Sequence, residues 1–193
     1  MDIVITGLNK AYGEQRVLED FSVRFAFGQT TCLMGDSGLG KTTLFRIMMG
    51  LTPADSGSIE GMEGKKISAV FQEDRVLESF NAVANVRFAA AKGIGRREIV
   101  ADLEALGLGD SLYKPASQLS GGMRRRVVIA RAILSRANVY FLDEPFQGLD
   151  AQSKQQTAGY IKDRAKGQTV LMVTHDPEEV ALMEGHLFLM GRR

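Results

Sequence analysis

The sequence has few of the residues that hold disulfides or metal clusters. Cys32 is the only cysteine among 193 residues, so an internal disulfide and a cysteine-based zinc cluster are both excluded. The two histidines, His175 and His186, are too few for most histidine metal sites. No apolar run approaches the roughly 20 residues of a membrane-spanning helix, and the first residues lack the features of a signal peptide. These absences predict a cytosolic protein.

A strong charge of either sign is also missing. The 24 Lys and Arg residues oppose 23 Asp and Glu residues, and so small an excess gives no broad positive field for duplex nucleic acid or an anionic membrane. The basic run Arg124–Arg126 is interpreted as a solvated helix face, and we expect no nucleic-acid partner. Hydrophobic residues make up 45% of the chain, which is enough to bury a core.

Short apolar runs predict a parallel sheet at the centre of an α/β fold. The first thirty residues read as a separate, half-buried β region, in which Phe21, Val23 and Phe25 alternate with more polar residues. The stretch from about 81 to 112 reads as a mostly helical insertion. The apolar runs are Thr31–Met34, Ile67–Phe71, Val139–Leu142 and Val170–Val173.

Polar or glycine residues follow each of these four runs directly. In an open parallel sheet, ligands bind beyond the carboxyl ends of the strands. The four segments, which begin at Gly35, Gln72, Asp143 and Thr174, are therefore expected to converge on one site.

The first of these segments matches the pattern of a phosphate-binding loop, G-x-x-x-x-G-K-[ST]. Its glycines allow successive backbone N–H groups to face phosphate oxygens, and the start of the following helix adds its positive dipole end. Lys41 is expected to neutralise the β- and γ-phosphates, and the Thr42 hydroxyl to bind Mg²⁺. The loop consists of Gly35, Asp36, Ser37, Gly38, Leu39, Gly40, Lys41 and Thr42.

Two further segments complete a predicted nucleotide site. Asp143 is expected to hold Mg²⁺, and Glu144 to orient and deprotonate an attacking water. A second anion-binding surface is predicted at Ser120, Gly121 and Gly122, because a serine N-cap followed by glycines leaves the free N–H groups of a helix start uncovered. One chain thus has two phosphate sites and one metal site.

Five motifs, taken in order, resemble those of the nucleotide-binding subunit of an ABC transporter. They are the phosphate loop, Leu119–Gly122, Phe141–Pro145, Gly148–Asp150 and His175, and they extend over nearly the whole chain. The resemblance implies a P-loop NTPase with a three-layer α/β/α RecA-like core, an N-terminal antiparallel β subdomain and a helical subdomain. Residues 1–193 would form one ABC-type domain, with the helical subdomain at about 75–125 and the rest of the fold in 1–74 and 126–193.

The resemblance also implies how ATP is bound. Two subunits, expected to be identical chains, would pair head to tail around two ATP molecules. Each ATP would be held by the phosphate loop of one subunit and by Ser120–Gly122 of the other. Tyr12 would stack on adenine, Thr43 would lie near the α-phosphate, and Asp150 would cross the dimer interface.

The catalytic assignments rest on the same resemblance. Gln72 would approach Mg²⁺ and the attacking water, and His175 would contact the γ-phosphate. The catalytic residues would be Glu144, His175, Lys41 and Gln72, and the Mg²⁺ ligands would be Thr42, Gln72 and Asp143. The implied cofactors are ATP and Mg²⁺.

A protein of this kind would drive transport through a separate transmembrane permease at the cytoplasmic face of the membrane. The segment 73–77 favours a bacterial importer, which would add a substrate-binding protein as a partner. Two alternatives stay open: a soluble ABC-type ATPase of DNA repair or translation, and a single-site P-loop kinase or GTPase. Met123 stands where the family usually has glutamine, and the chain ends soon after Met190. We therefore expect an altered signature motif and no regulatory C-terminal domain.

Overall fold

The structure is a computed structural model, and it describes residues 1–191. Within them the strands are β1 (Ile3–Tyr12), β2 (Gln15–Phe25), β3 (Thr30–Met34), β4 (Ser56–Glu60), β5 (Ile67–Val70), β6 (Val139–Asp143), β7 (Thr169–Val173) and β8 (His186–Leu189). They form an antiparallel sheet in the order β2-β1-β4 and a parallel sheet in the order β5-β6-β7-β3-β8. The α/β fold class predicted from the sequence is confirmed.

The four predicted strands lie side by side as β5-β6-β7-β3. Every residue of β6 and β7 is buried, which explains why these strands read as continuous apolar runs. The parallel register pairs Val70 with Leu142 and Leu33 with Val173. The carboxyl ends of all four strands therefore lie along one edge of the sheet, as the sequence predicted.

The helices are α1 (Lys41–Met48), α2 (Ala82–Arg87), α3 (Arg96–Ala105), α4 (Gly121–Ile133), α5 (Ala151–Arg164) and α6 (Pro177–Leu182). Short 3₁₀ turns at Gly109–Ser111 and Ala116–Gln118 lead from α3 to α4. The stretch predicted to be mostly helical contains α2 and α3, which pack against α4. Ile99, Leu103 and Leu106 are buried, and Gly107 follows the last turn of α3 in the left-handed conformation, as a helix-ending glycine does.

Side-chain alternation divides the core into two layers. Tyr140 and Leu142 face a cluster that contains the buried residues of α4 and α5. Val139 and Phe141 face the opposite cluster, which contains the buried residues of α1 and of the antiparallel sheet. The parallel sheet is thus covered on both faces, which is the three-layer arrangement of a doubly covered α/β protein.

One prediction about α4 is wrong. Arg125 was expected on a solvated face, but it is only 2% exposed, whereas its neighbours Arg124 and Arg126 are half-buried. Its guanidinium reaches backbone carbonyls at the carboxyl ends of β5 and β6. The sequence shows a basic run but not the acceptors around it, since these belong to the main chain of distant segments.

Candidate nucleotide site

The phosphate loop connects β3 to α1, and glycine is required where it enters the helix. Gly40 is the N-cap of α1 with φ +88°, and a Cβ there would lie 2.8 Å from Cγ1 of Val17. The Lys41 ammonium donates to the carbonyls of Gly35 at 2.6 Å and Asp36 at 2.8 Å. The loop thus curves around its own lysine at the amino end of a helix, which is the geometry that binds phosphate.

Thr42 and Asp143 form an oxygen pair beneath this loop. The Thr42 hydroxyl donates to Oδ2 of Asp143 at 2.9 Å, and Asp143 is only 6% exposed. Burial, with a further contribution from the neighbouring Glu144 carboxylate, raises the pKa of Asp143. Burial thus disfavours the ionised form of this carboxylate. A carboxylate of this kind next to a hydroxyl oxygen is suited to bind a hard divalent cation such as Mg²⁺.

Glu144 follows Asp143 with φ +48°, a conformation uncommon outside glycine. Its backbone N–H donates to the carbonyl of Val173 at 3.0 Å. The side chain is 24% exposed, and its Oε1 lies 3.6 Å from Nδ1 of His175, which is 76% exposed. Two groups able to accept or donate a proton therefore meet at the ends of β6 and β7.

A polar network that the sequence did not reveal supports the His175 segment. The hydroxyl of Thr174 donates to Glu179 at 2.5 Å and accepts from the N–H of Asp176 at 3.1 Å. Lys154 of α5 donates to Glu179 at 2.6 Å and to Asp176 at 3.2 Å, and the bond to Glu179 raises the pKa of Lys154. Asp176 caps α6 by accepting from the N–H of Glu178, and Pro177 is the first helical residue.

A cleft of about 320 Å³, the phosphate-loop cleft, brings most of the predicted site residues together. Tyr12, at the end of the β1–β2 hairpin, is 48% exposed and lies in its wall. Gln15 and Val17 line the same wall, and the sequence pattern did not single them out. The predicted residues in the lining are Tyr12, Ser37, Gly38, Gly40, Lys41, Thr42, Thr43, Gln72, Asp143 and Glu144.

Four further predicted residues lie in a second cleft of about 450 Å³, the Ser120 cleft, whereas Gly35, Asp36, Leu39 and His175 line neither cleft. Ser120 caps α4 by accepting from the N–H of Met123 at 3.2 Å, as predicted. Asp150 caps α5 by accepting from the N–H of Ser153 at 2.8 Å, and this bond lowers the pKa of Asp150. The lining includes Ser120, Gly121, Gly122 and Asp150. Over residues 1–191 the two clefts share no lining residue.

Fold and site together define a P-loop ATPase. The family described as ABC transporter matches residues 18–147. An aliphatic sulfonates import ATP-binding protein of Pseudomonas savastanoi pv. phaseolicola is 35% identical over 186 residues, which are 95% of this chain and 78% of that protein. A protein of the same description from Pseudomonas aeruginosa is 36% identical over 203 residues, and the match covers 96% of this chain and 80% of that protein. The chain therefore belongs to the ABC transporter family, as an ATP-binding and ATP-hydrolysing subunit.

A solved structure of a bacterial Atm1-family ABC exporter with ATP bound has the same fold. Its TM-score is 0.84, and the match covers 98% of this chain and 37% of that one. Its sequence identity is 20%, so this likeness supports the architecture alone. Of the helices in residues 1–191, none combines the length and the apolar character needed to cross a membrane.

Proposed function

We propose that the protein is the ATPase of an importer, in which two copies of this chain enclose two MgATP and drive a separate membrane permease. The division of the predicted site between two clefts carries this proposal. The phosphate-loop cleft has the lysine, the metal-binding oxygens and the carboxylate needed to hydrolyse ATP. The Ser120 cleft has a capped helix start suited to phosphate but no lysine and no glutamate among its described lining residues. Its two carboxylates are already engaged, Asp74 by Arg125 and Asp150 by the first turn of α5. A second copy that presents its Ser120 cleft would complete each site.

The chain's own residues supply the steps of hydrolysis. Lys41 and the loop N–H groups bind the phosphates, and Thr42, Asp143 and Gln72 would hold Mg²⁺, which neutralises developing charge on the phosphates when bound. Glu144 accepts the proton of the attacking water, and His175 contacts the γ-phosphate. Tyr12 supports adenine from the wall of the phosphate-loop cleft.

Complementation between two inactive variants tests the shared site. Lys41→Ala damages the phosphate loop and Ser120→Arg obstructs the Ser120 cleft, so each homodimer lacks two working sites. A mixed dimer retains one intact composite site. Mixing equal amounts is expected to restore up to about one quarter of the wild-type rate of ATP hydrolysis.

The control is a double variant that carries both changes in one chain. Mixed with Lys41→Ala, it offers no intact composite site and is expected to stay inactive. If the two single variants also fail to complement, although both are folded and the wild type hydrolyses ATP, sharing of the site between subunits is contradicted.

The substrate class proposed for the transporter is the alkanesulfonates, because the two related proteins from Pseudomonas are named for aliphatic sulfonate import. The permease and a substrate-binding protein would supply the specificity, and the ATPase would attach to the ATP-containing side of the membrane through the permease. A strain that lacks this chain should fail to grow on ethanesulfonate as its sulfur source but should grow on sulfate. Normal growth on both would exclude this substrate class.

A further inference from the structure

Arg125 occupies an unusual place for a charged side chain. It is the largest side chain that is fully buried in the described part of the chain. It begins on α4, five residues after the N-cap Ser120, and extends away from the helix axis into the edge of the parallel sheet. A buried charge is costly unless hydrogen bonds compensate for lost water, so its partners indicate what it is for.

One set of partners belongs to the last residue of β6 and the segment that follows it. The Nη2 group of Arg125 donates to the backbone carbonyls of Asp143 and Glu144, both at 2.6 Å. Its Nε donates to the carbonyl of Pro145 at 3.1 Å. These carbonyls lie where the main chain turns through the left-handed conformation of Glu144. The guanidinium therefore fixes the peptide units on both sides of the proposed general base.

The other set belongs to the segment that follows β5. The Nη1 group donates to the carbonyl of Phe71 at 2.5 Å and to Oδ1 of Asp74 at 3.0 Å. It also lies 3.4 Å from the carbonyl of Gln72. Asp74 is a charged partner with a side chain that is 25% exposed. A single planar group thus joins the Gln72 segment to the Glu144 segment.

We propose that Arg125 is a positioning residue for ATP hydrolysis, which holds Glu144 and Gln72 in register through their backbone carbonyls. This inference rests on the proposed function, in which Glu144 is the base and Gln72 lies near the attacking water. A guanidinium has five N–H donors in a rigid fork, whereas a lysine ammonium has three donors on a flexible stem. Lysine would keep the charge but could not span both segments.

The test compares Arg125→Lys with Arg97→Lys, the same change at an exposed arginine on α3. We expect Arg125→Lys to lower kcat by about tenfold or more, with KM and the affinity for a fluorescent ATP analogue changed by less than about twofold. Arg97→Lys should behave as wild type in all three measurements. An unchanged kcat in folded Arg125→Lys would overturn the proposal, as would a loss confined to nucleotide affinity.

A double-variant cycle separates positioning from general loss of structure. If Arg125 acts through Glu144, adding Arg125→Lys to Glu144→Gln should lower the residual rate by about threefold or less, which is the part that acts through Gln72. If the two losses multiply, Arg125 does not act through Glu144. A different result would contradict the proposed function, namely hydrolysis of ATP at the wild-type rate by the single variant Glu144→Gln.

Asp74→Asn provides the measurement if Arg125→Lys does not fold. This variant leaves the arginine in place and replaces the charged acceptor at the rim by a neutral amide oxygen, which weakens the attachment to the Gln72 segment. We expect kcat to fall by about threefold with KM unchanged. A wild-type kcat in Asp74→Asn would contradict the coupling of the two segments.

Discussion

Glu144 combines the proposed role of general base with an uncommon backbone conformation. Its left-handed φ of +48° costs of order 1 kcal/mol for a non-glycine residue. Hydrogen bonds on both sides offset this cost, one from its own N–H to Val173 and one from Arg125 to its carbonyl. The conformation turns the main chain at the end of β6, so that consecutive carboxylates occupy different places in the site.

Replacing Glu144 by Gln removes the proposed base and leaves an amide of the same shape. We expect kcat for ATP hydrolysis to fall by at least about 100-fold, with ATP affinity retained, since the phosphates are bound by other groups. Steady-state hydrolysis and equilibrium binding check this. Glu78→Gln, a change at an exposed glutamate, is the control and should retain full activity.

Replacing Asp143 by Asn tests the cost of its buried charge. The native pKa is raised above the ordinary 3.8 of an aspartate, so at pH 7 the ionised side chain destabilises the nucleotide-free fold. At pH 7, Asp143→Asn should raise Tm by about 2–4 °C for each kcal/mol of unfolding free energy that it restores. The same change should abolish Mg²⁺-dependent hydrolysis. The stability difference from wild type should shrink as the pH falls through the raised pKa. A lower Tm for Asp143→Asn at pH 7 would contradict this account.

Whether the role of a residue can be predicted depends on whether its contacts lie close to it in the sequence. The phosphate loop could be predicted because its spacing reflects contacts within eight consecutive residues. Arg125, Lys154 and Glu179 could not, because their partners come from segments that are distant in the sequence. The same basic run in α4 contains one buried and two half-buried arginines, and only the fold distinguishes them.

At the scale of elements, α5 connects the Ser120 cleft to the segment that carries His175. Its first turn is capped by Asp150 in the Ser120 cleft, and Lys154 one turn later pairs with Glu179 and Asp176 beside His175. A displacement of the helix start would therefore reach the segment that carries His175. The helix therefore links the proposed dimer interface to the proposed γ-phosphate contact of His175.

Lys154→Met should weaken this link and the fold together. The change leaves Glu179, whose side chain is 8% exposed, without its cation, and we expect the free energy of unfolding to fall by about 1–3 kcal/mol. Urea denaturation measures this loss. Lys162→Met on the same helix is the matched control, because Lys162 pairs with Glu184, which is 77% exposed, and should cost at most about 0.5 kcal/mol. Equal losses in the two variants would refute the role given to Lys154.

The elements that could be predicted are those with a continuous or periodic apolar pattern. The strands β3, β5, β6 and β7 are apolar throughout or nearly so, and α3 has apolar residues at helical spacing. The strand β4 contains one apolar side chain, Ile59, and its place depends on pairing with β1. Such an element depends on its neighbours in space, which a local pattern does not describe.

At the scale of the whole molecule, the fold places the two predicted phosphate-binding surfaces in separate clefts. The helical part carries the N-terminus of α4 into the Ser120 cleft, and the parallel sheet carries the phosphate loop and the carboxylates into the phosphate-loop cleft. We infer that hydrolysis requires two copies, each completing the site of the other. A single-site kinase or GTPase would have no use for the second cleft.

The solution mass of Glu144→Gln, measured by light scattering with MgATP and then with MgADP, tests this claim most directly. The variant should bind ATP without consuming it, so the closed pair accumulates. We predict twice the mass of the 21.1 kDa chain with MgATP, and the mass of one chain with MgADP. Ser120→Arg in the same background should abolish the dimer while leaving ATP bound. A monomer with saturating MgATP, with nucleotide binding demonstrated, would contradict the account.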